Sequence, residues 1–151
     1  MGIAVTIETT ITRSPAVVFA RIADIAAWPS WLIASGIVAV TRSAGGPITV
    51  GERLRIDQRA AGRAGTFDAE VTVAEPPRRL VLRGVDGNDI SIDIEAVLAP
   101  CETGTELTWS IRIGLPASFR FFESMARPQI QRAAALDLEA LRLRLESTPA
   151  A

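Results

Sequence analysis

The side chains that could do chemistry in this chain are few in kind. All sixteen basic residues are Arg; there is no His, no Lys and no Tyr, and Cys101 is the one cysteine. A Ser-His-Asp or Cys-His nucleophile system therefore cannot be assembled, nor can a Lys Schiff base. Without His, and with one Cys, the expectation is no metal site and no cofactor. Proton transfer would fall to Asp, Glu, Arg, hydroxyls, the single thiol or water. Asp57, Arg83 and Glu123 are the catalytic candidates. Alternation puts Asp57 on the polar side of its strand, as it does Asp68, Glu70, Asp93 and Glu95, and the first reading of each is a solvated surface charge. A bulge of one residue would turn Asp57, Arg59 or Arg83 inward. Glu123 shares its stretch with Phe119, Phe122 and Met125, which would set it at the mouth of a pocket. Asp24 reads as a solvated helix residue. Cys101 lies in a Pro-Cys-Glu-Thr-Gly turn, where Glu102 works against a thiolate.

The elements that must position these residues follow from periodicity. Ile3, Val5, Ile7 and Ile11 share one face of a first strand. Ser14-Pro15 is a helix start, because Pro lacks an N–H that would be unpaired at the first helical position. Val18, Phe19, Ile22 and Ile25 then recur at helical spacing, and Pro29 within Trp28-Pro29-Ser30-Trp31 ends that helix or opens a short second one. Residues 37–42 read as a strand. Strands follow with Leu54, Ile56 and Gln58, with Phe67, Ala69, Val71 and Val73, with Leu80 and Leu82, with Ile90, Ile92, Ile94 and Leu98, and with Leu107, Trp109, Ile111 and Ile113 on their apolar faces. No helix intervenes between residues 37 and 113, so the sheet must be antiparallel. One face of each strand is polar, so the other needs a cover. Ile130, Ala134, Leu138, Leu141 and Leu145 supply it, predicting a helix over 129–146 after a shorter turn at 118–127. Arg132, Asp137, Glu139, Arg142, Arg144 and Glu146 fall mostly on its other side.

Composition limits the partners. A net charge of −1 with no polybasic run excludes nucleic acid as a natural partner. The longest uncharged run, residues 25–41, is shorter than the ~20 apolar residues of a membrane span, so no membrane insertion is expected. No basic segment followed by an apolar block opens the chain, and one cysteine allows no internal disulfide. Both suit a cytoplasmic protein. The Arg and Ala bias suggests a GC-rich bacterial genome. The reading is a single α+β domain over residues 1–151, with 147–151 a frayed tail, as monomer or dimer.

The order strand, two short helices, six strands, long helix resembles the helix-grip superfamily of START-related and birch-pollen-allergen-like domains. Within it the chain most resembles the bacterial polyketide cyclase/dehydrase and lipid-transport family. The resemblance runs from Val5 to Glu146. It rests on Ser14-Pro15 with Val18-Phe19 and Ile22–Asp24, on Trp28 and Trp31, and on Val50-Gly51-Glu52. It continues through Glu75-Pro76-Pro77-Arg78-Arg79-Leu80, Gly104–Thr108, and Asp137-Leu138 with Leu141 and Leu145-Glu146. It implies a seven-stranded curved antiparallel sheet wrapped around the long helix, with a pocket for a small hydrophobic molecule. The ligand-binding candidates are then Trp31 near the mouth, Ile56, Gln58, Phe67, Ala69, Leu82, Ile92, Ile94, Trp109 and Ile111 on the strands, and Phe122, Met125 and Ile130 in the helical lid. Thr9, Gln58 and Ser35 are the expected polar groups of an interior with no inward carboxylate. Such a lining favours a carrier or sensor of a lipid-, isoprenoid- or polyketide-like molecule. The alternatives are a polyketide cyclase, aromatase or dehydratase using polar groups in the cavity, and a structural or chaperone-adaptor module.

Overall fold

A computed structural model describes residues 2–60 and 62–147. Seven strands form one antiparallel sheet: β1 (Gly2–Ile11), β2 (Ile37–Arg42), β3 (Arg53–Ala60), β4 (Arg63–Glu75), β5 (Arg79–Val85), β6 (Ser91–Cys101) and β7 (Gly104–Gly114). Their order is β1-β7-β6-β5-β4-β3-β2. β2 to β7 succeed one another as hairpins. β1 joins out of sequence beside β7, because α1 (Pro15–Ala23) and a 3-10 helix (Ile25–Ser30) carry the chain across to the far edge at β2. The sheet is curved and open, and α2 (Glu123–Ser147) grips its concave side, as the helix-grip reading expects.

Local chemistry sets the boundaries. Ser14 caps α1, its Oγ accepting the Val17 N–H at 3.4 Å, and Pro15 occupies the first turn. The β4–β5 turn is built on Pro76-Pro77, with a cis bond between them. Cross-strand neighbours share a face, so register decides which side chains turn inward. An extra residue at Val38 in β2 and another at Thr72 in β4 break the pairing. The second bulge corrects the sequence expectation for Val73. Beyond it Ala74 pairs with Leu80 and faces the core, while Val73 pairs with Val81 on the convex side.

The long helix also differs from its expected span. It starts at Glu123 rather than 129 and holds Pro128 in its second turn, preceded by a 3-10 helix over Ala117–Phe122. Pro128 removes one donor, to the carbonyl of Ser124. Ser124 is exposed, so water can serve that carbonyl instead. Buried Ala134, Leu138, Leu141 and Leu145 face the sheet, and Asp137, expected on the wet side, is buried among them. At its C-terminal end the Thr12 N–H donates to Glu146 at 3.0 Å, and the Arg13 guanidinium donates to the Leu145 carbonyl at 3.1 Å. The expected tail beyond Ser147 lies outside the described residues.

Candidate functional site

Burial of the concave face is graded from one end to the other. Next to α1 the wall is sealed: Ile11, Val18, Ile22, Ile25, Leu80, Leu98 and Leu107 are buried. At the other end the strands lead toward the start of α2, and Phe67, Ile92, Ile113 and Ile130 are only half-buried. Between the two, Ala69 and Gly84 face one another across β4 and β5, so the floor is low there. A Cβ on Gly84 would come within 3.1 Å of the Ala69 Cβ. The sequence-selected lining residues thus divide. Ile56, Ala69, Leu82, Ile94, Trp109 and Ile111 are buried, and Gln58, Phe67, Ile92 and Ile130 are half-buried, as is Thr9. Phe122 and Met125, expected as lining, are exposed at the rim, where Phe122 stacks near Phe119 and Phe121.

The middle of the grip holds all three tryptophans. Trp28, Trp31 and Trp109 meet edge to face, with ring centroids 5.5 to 6.3 Å apart. Trp31, expected near the mouth, is fully buried, because the 3-10 helix folds its ring inward against Trp109 of β7. The Trp28 indole N–H donates to the Ile22 carbonyl at 2.8 Å. The Nε1 atoms of Trp31 and Trp109 have no partner, and they are the unpartnered buried side-chain polar atoms among the described residues. Buried indole N–H groups usually find an acceptor, and leaving one unmade costs about 1–3 kcal/mol.

Two carboxylates do lie inside, and the sequence reading placed neither there. Glu52 continues the inward row of Leu54 and Ile56 and is buried. Arg42 grips it in a fork, Nε to Oε2 at 2.7 Å and Nη2 to Oε1 at 2.8 Å. That hydrogen bonding holds the Glu52 carboxyl below the usual carboxylate range against the opposing effect of burial. Asp137 accepts the backbone N–H of Ala34 and of Ser35, each at 2.8 Å. Gln58 reaches the same loop, its Nε2 donating to the Ser35 carbonyl at 2.9 Å. Extending the β3 alternation two residues back would have found Glu52. Helical spacing from Ala134 and Leu141 would have found Asp137.

The three catalytic candidates are not brought together. Asp57 sits on the convex face and accepts the Thr66 hydroxyl at 2.8 Å. Arg83 pairs with Asp93 at 2.9 Å on the same face, since the two bulges fall elsewhere and turn neither inward. Glu123 opens α2 and lies 3.8 Å from Arg127. No group of three or more Cys, Asp or Glu among the described residues is placed to hold a metal ion. No described helix is long and apolar enough to cross a membrane.

A separate cleft of 540 Å³ opens outside the grip, between α1, the 46–48 loop and the Pro76-Pro77 turn. Phe19, Ala20, Ile48 and Ala74 give it apolar walls, and Asp24 and Arg42 line it as well.

A model of the family described as polyketide cyclase/dehydrase and lipid transport matches residues 2–146. No curated protein matches the chain in sequence. Among solved structures, the Zhui aromatase/cyclase from Streptomyces sp. R1128 superposes with a TM-score of 0.76 at 16% identity, covering 97% of this chain and 94% of that one. The di-domain aromatase/cyclase BexL of the BE-7585A biosynthetic pathway gives 0.77 at 17% identity, covering 98% of this chain and 51% of BexL. A protein from Thermus thermophilus gives 0.76 at 17% identity, covering 94% and 96% of the two chains. At these identities the likeness is one of fold.

Proposed function

The chain belongs to the polyketide cyclase/dehydrase and lipid-transport family, and from that premise we propose that it binds one small hydrophobic molecule between the sheet and α2, as carrier or sensor rather than catalyst. The observation that carries this reading is the state of the polar groups inside the grip. Its acids are engaged: Glu52 by Arg42, Asp137 by two backbone N–H groups. Its unpartnered polar atoms are two indole donors, on Trp31 and Trp109. Such an interior offers hydrogen-bond donors and no free base, and proton abstraction needs a base within hydrogen-bond reach. It suits a fatty-acyl, isoprenoid or polyketide-like body bearing a carbonyl or carboxyl oxygen.

The ligand enters at the end framed by Phe122 and Met125. It rests on Ile56, Phe67, Ala69, Leu82, Ile92, Ile94, Ile111 and Ile130, with its oxygen toward Trp31 and Trp109. Gln58 holds the 34–35 loop in place beside it. Ten buried methylenes gain ~8 kcal/mol before ordering costs, enough for micromolar affinity without a charged contact.

The test uses the tryptophan cluster as its own reporter. Titration with a polyene fatty acid that accepts tryptophan emission should quench the protein with little dependence on salt. Trp109→Phe and Trp31→Phe keep an aromatic ring but remove the indole donor along with part of the ring volume, and each should weaken binding. The competing location is the cleft beside α1: Ala20→Phe would fill it and should leave binding unchanged. Loss of binding in Ala20→Phe alone, or turnover of a poly-β-ketone by the wild-type protein, would overturn the reading.

A further inference from the structure

The long helix buries one face against the sheet, and on its far side large apolar residues are left uncovered among the described residues. Ala134, Leu138, Leu141 and Leu145 are buried against the sheet. On the far side Met125, Arg132, Leu136, Glu139 and Leu143 follow at spacings of seven, four, three and four. At 3.6 residues per turn these fall within an arc of ~60°, about half a turn from the buried set. Met125 is 67% exposed, Leu136 63% and Leu143 54%. Phe121, 69% exposed, precedes the stripe at the same end as Met125. A helix covering a sheet ordinarily presents charge on this side, whereas here exposed Met125, Leu136 and Leu143 alternate with Arg132 and Glu139.

The two charges within the stripe select the partner. Arg132 and Glu139 lie on either side of Leu136. Arg132 makes no ion pair among the described residues. Arg142 donates to both oxygens of Glu139, but a carboxylate has about four acceptor positions and can take another donor. A second copy laid parallel would set Arg132 against Arg132 and Glu139 against Glu139. Laid antiparallel about a two-fold axis near Leu136, it sets each Arg132 opposite the other copy's Glu139, and Leu136 against Leu136. The stripe's two charges sum to zero, which gives an anionic lipid surface no electrostatic hold.

We propose that the outer face of α2 is a self-complementary interface through which two copies pair antiparallel, in the isologous manner of a two-fold dimer. The inner face of the helix stays packed on the sheet in each copy.

Sedimentation equilibrium on the whole protein tests this. The wild type should be a concentration-dependent dimer. Leu136→Glu should raise the dissociation constant by more than about tenfold. That variant should keep its thermal midpoint at low protein concentration, since Leu136 is exposed and outside the core. Arg132→Glu and Glu139→Arg should each weaken the dimer, and the double variant Arg132→Glu/Glu139→Arg should restore it, because only an antiparallel pair regains opposite charges. In a Cys101→Ser background, Leu136→Cys should form a cross-linked dimer on oxidation. A wild type that stays monomeric at high concentration would overturn the proposal. So would a dimer indifferent to Leu136→Glu, a double variant no better than the singles, or a monomer that binds anionic vesicles through this face.

Discussion

The two ends of the grip are built to opposite standards. At the α1 end apolar side chains are buried and polar groups are matched: Trp28 donates to the Ile22 carbonyl, and Arg42 holds Glu52 in a bidentate fork. At the end where α2 begins, Phe67, Ile92, Ile113 and Ile130 are half-covered and Phe122 and Met125 exposed, and inward from it two indole donors have no acceptor among the described residues. The same sheet serves both, since each strand runs from one end to the other. The difference teaches where each kind of free energy resides: burial at one end stabilises the fold, and the unmade contacts at the other are what the proposed ligand would complete.

The sharpest way to break this comparison is to damage the sealed side of the helix. Leu138 is buried under the sheet, and Leu138→Ala should destabilise by about 2–5 kcal/mol in chemical denaturation. A cost below about 1 kcal/mol would mean that α2 does not hold the core as described. Asp137→Ala acts next to it by a different route. It strips the acceptor from the N–H groups of Ala34 and Ser35, and unmade partly buried bonds of this kind cost about 1–3 kcal/mol. Hydrogen exchange at those two amides should quicken well beyond the change in global stability. If it only tracks global unfolding, the carboxylate is not what fixes the loop.

How much of this was legible in the sequence depends on what each feature rests on. Alternation finds the strands other than β2, because one face of the sheet is wet and the other dry. It missed where parity breaks: the extra residue at Thr72, which turns Val73 outward and Ala74 inward, leaves no mark in a run of Val, Thr and Ala. The helix was found by its Leu spacing but begun too late, since Pro128 reads as a start while the structure tolerates it in the second turn. Asp137 was assigned to water on residue type alone, although its spacing put it on the buried face. Which strand side chains face α2 is readable from parity. The depth of Trp31 is not, because its inward turn depends on the 3-10 helix and on contacts with Trp28 and Trp109 far along the chain.

Acid sharpens the contrast more gently. Glu52 is held below the usual carboxylate range first by its hydrogen bond from Arg42. A carboxyl with a depressed folded pKa adds stability that is complete above its unfolded value, about 4.3 for Glu, and lost as pH falls through the folded value. The wild type should therefore lose stability progressively below about pH 4. Glu52→Gln should be less stable at neutral pH and show a shallower acid decline. Equal slopes for the two proteins in pH-jump denaturation would remove Glu52 from the sealed end's account.

The smallest effects are expected where the catalytic candidates lie. Asp57 is on the convex face, away from α2, and its side-chain bond from Thr66 is exposed. Asp57→Asn keeps an acceptor for that hydroxyl, so stability should move by no more than about 0.5 kcal/mol. Glu123→Gln removes an ion pair with Arg127 that is long at 3.8 Å and half-exposed on the Arg side, and such pairs contribute about 0–1 kcal/mol. Neither change touches the indole donors, so the affinity for an apolar probe should stay within about twofold of the wild type, a change of less than ~0.5 kcal/mol. Binding assays on the two variants, alone and combined, check this directly. A selective loss of affinity in Glu123→Gln, with Asp57→Asn unchanged, would bring the rim of the open end into the site as a charged contact. A loss in Asp57→Asn would do more damage, because no path through this register carries a convex-face carboxylate to a ligand under α2.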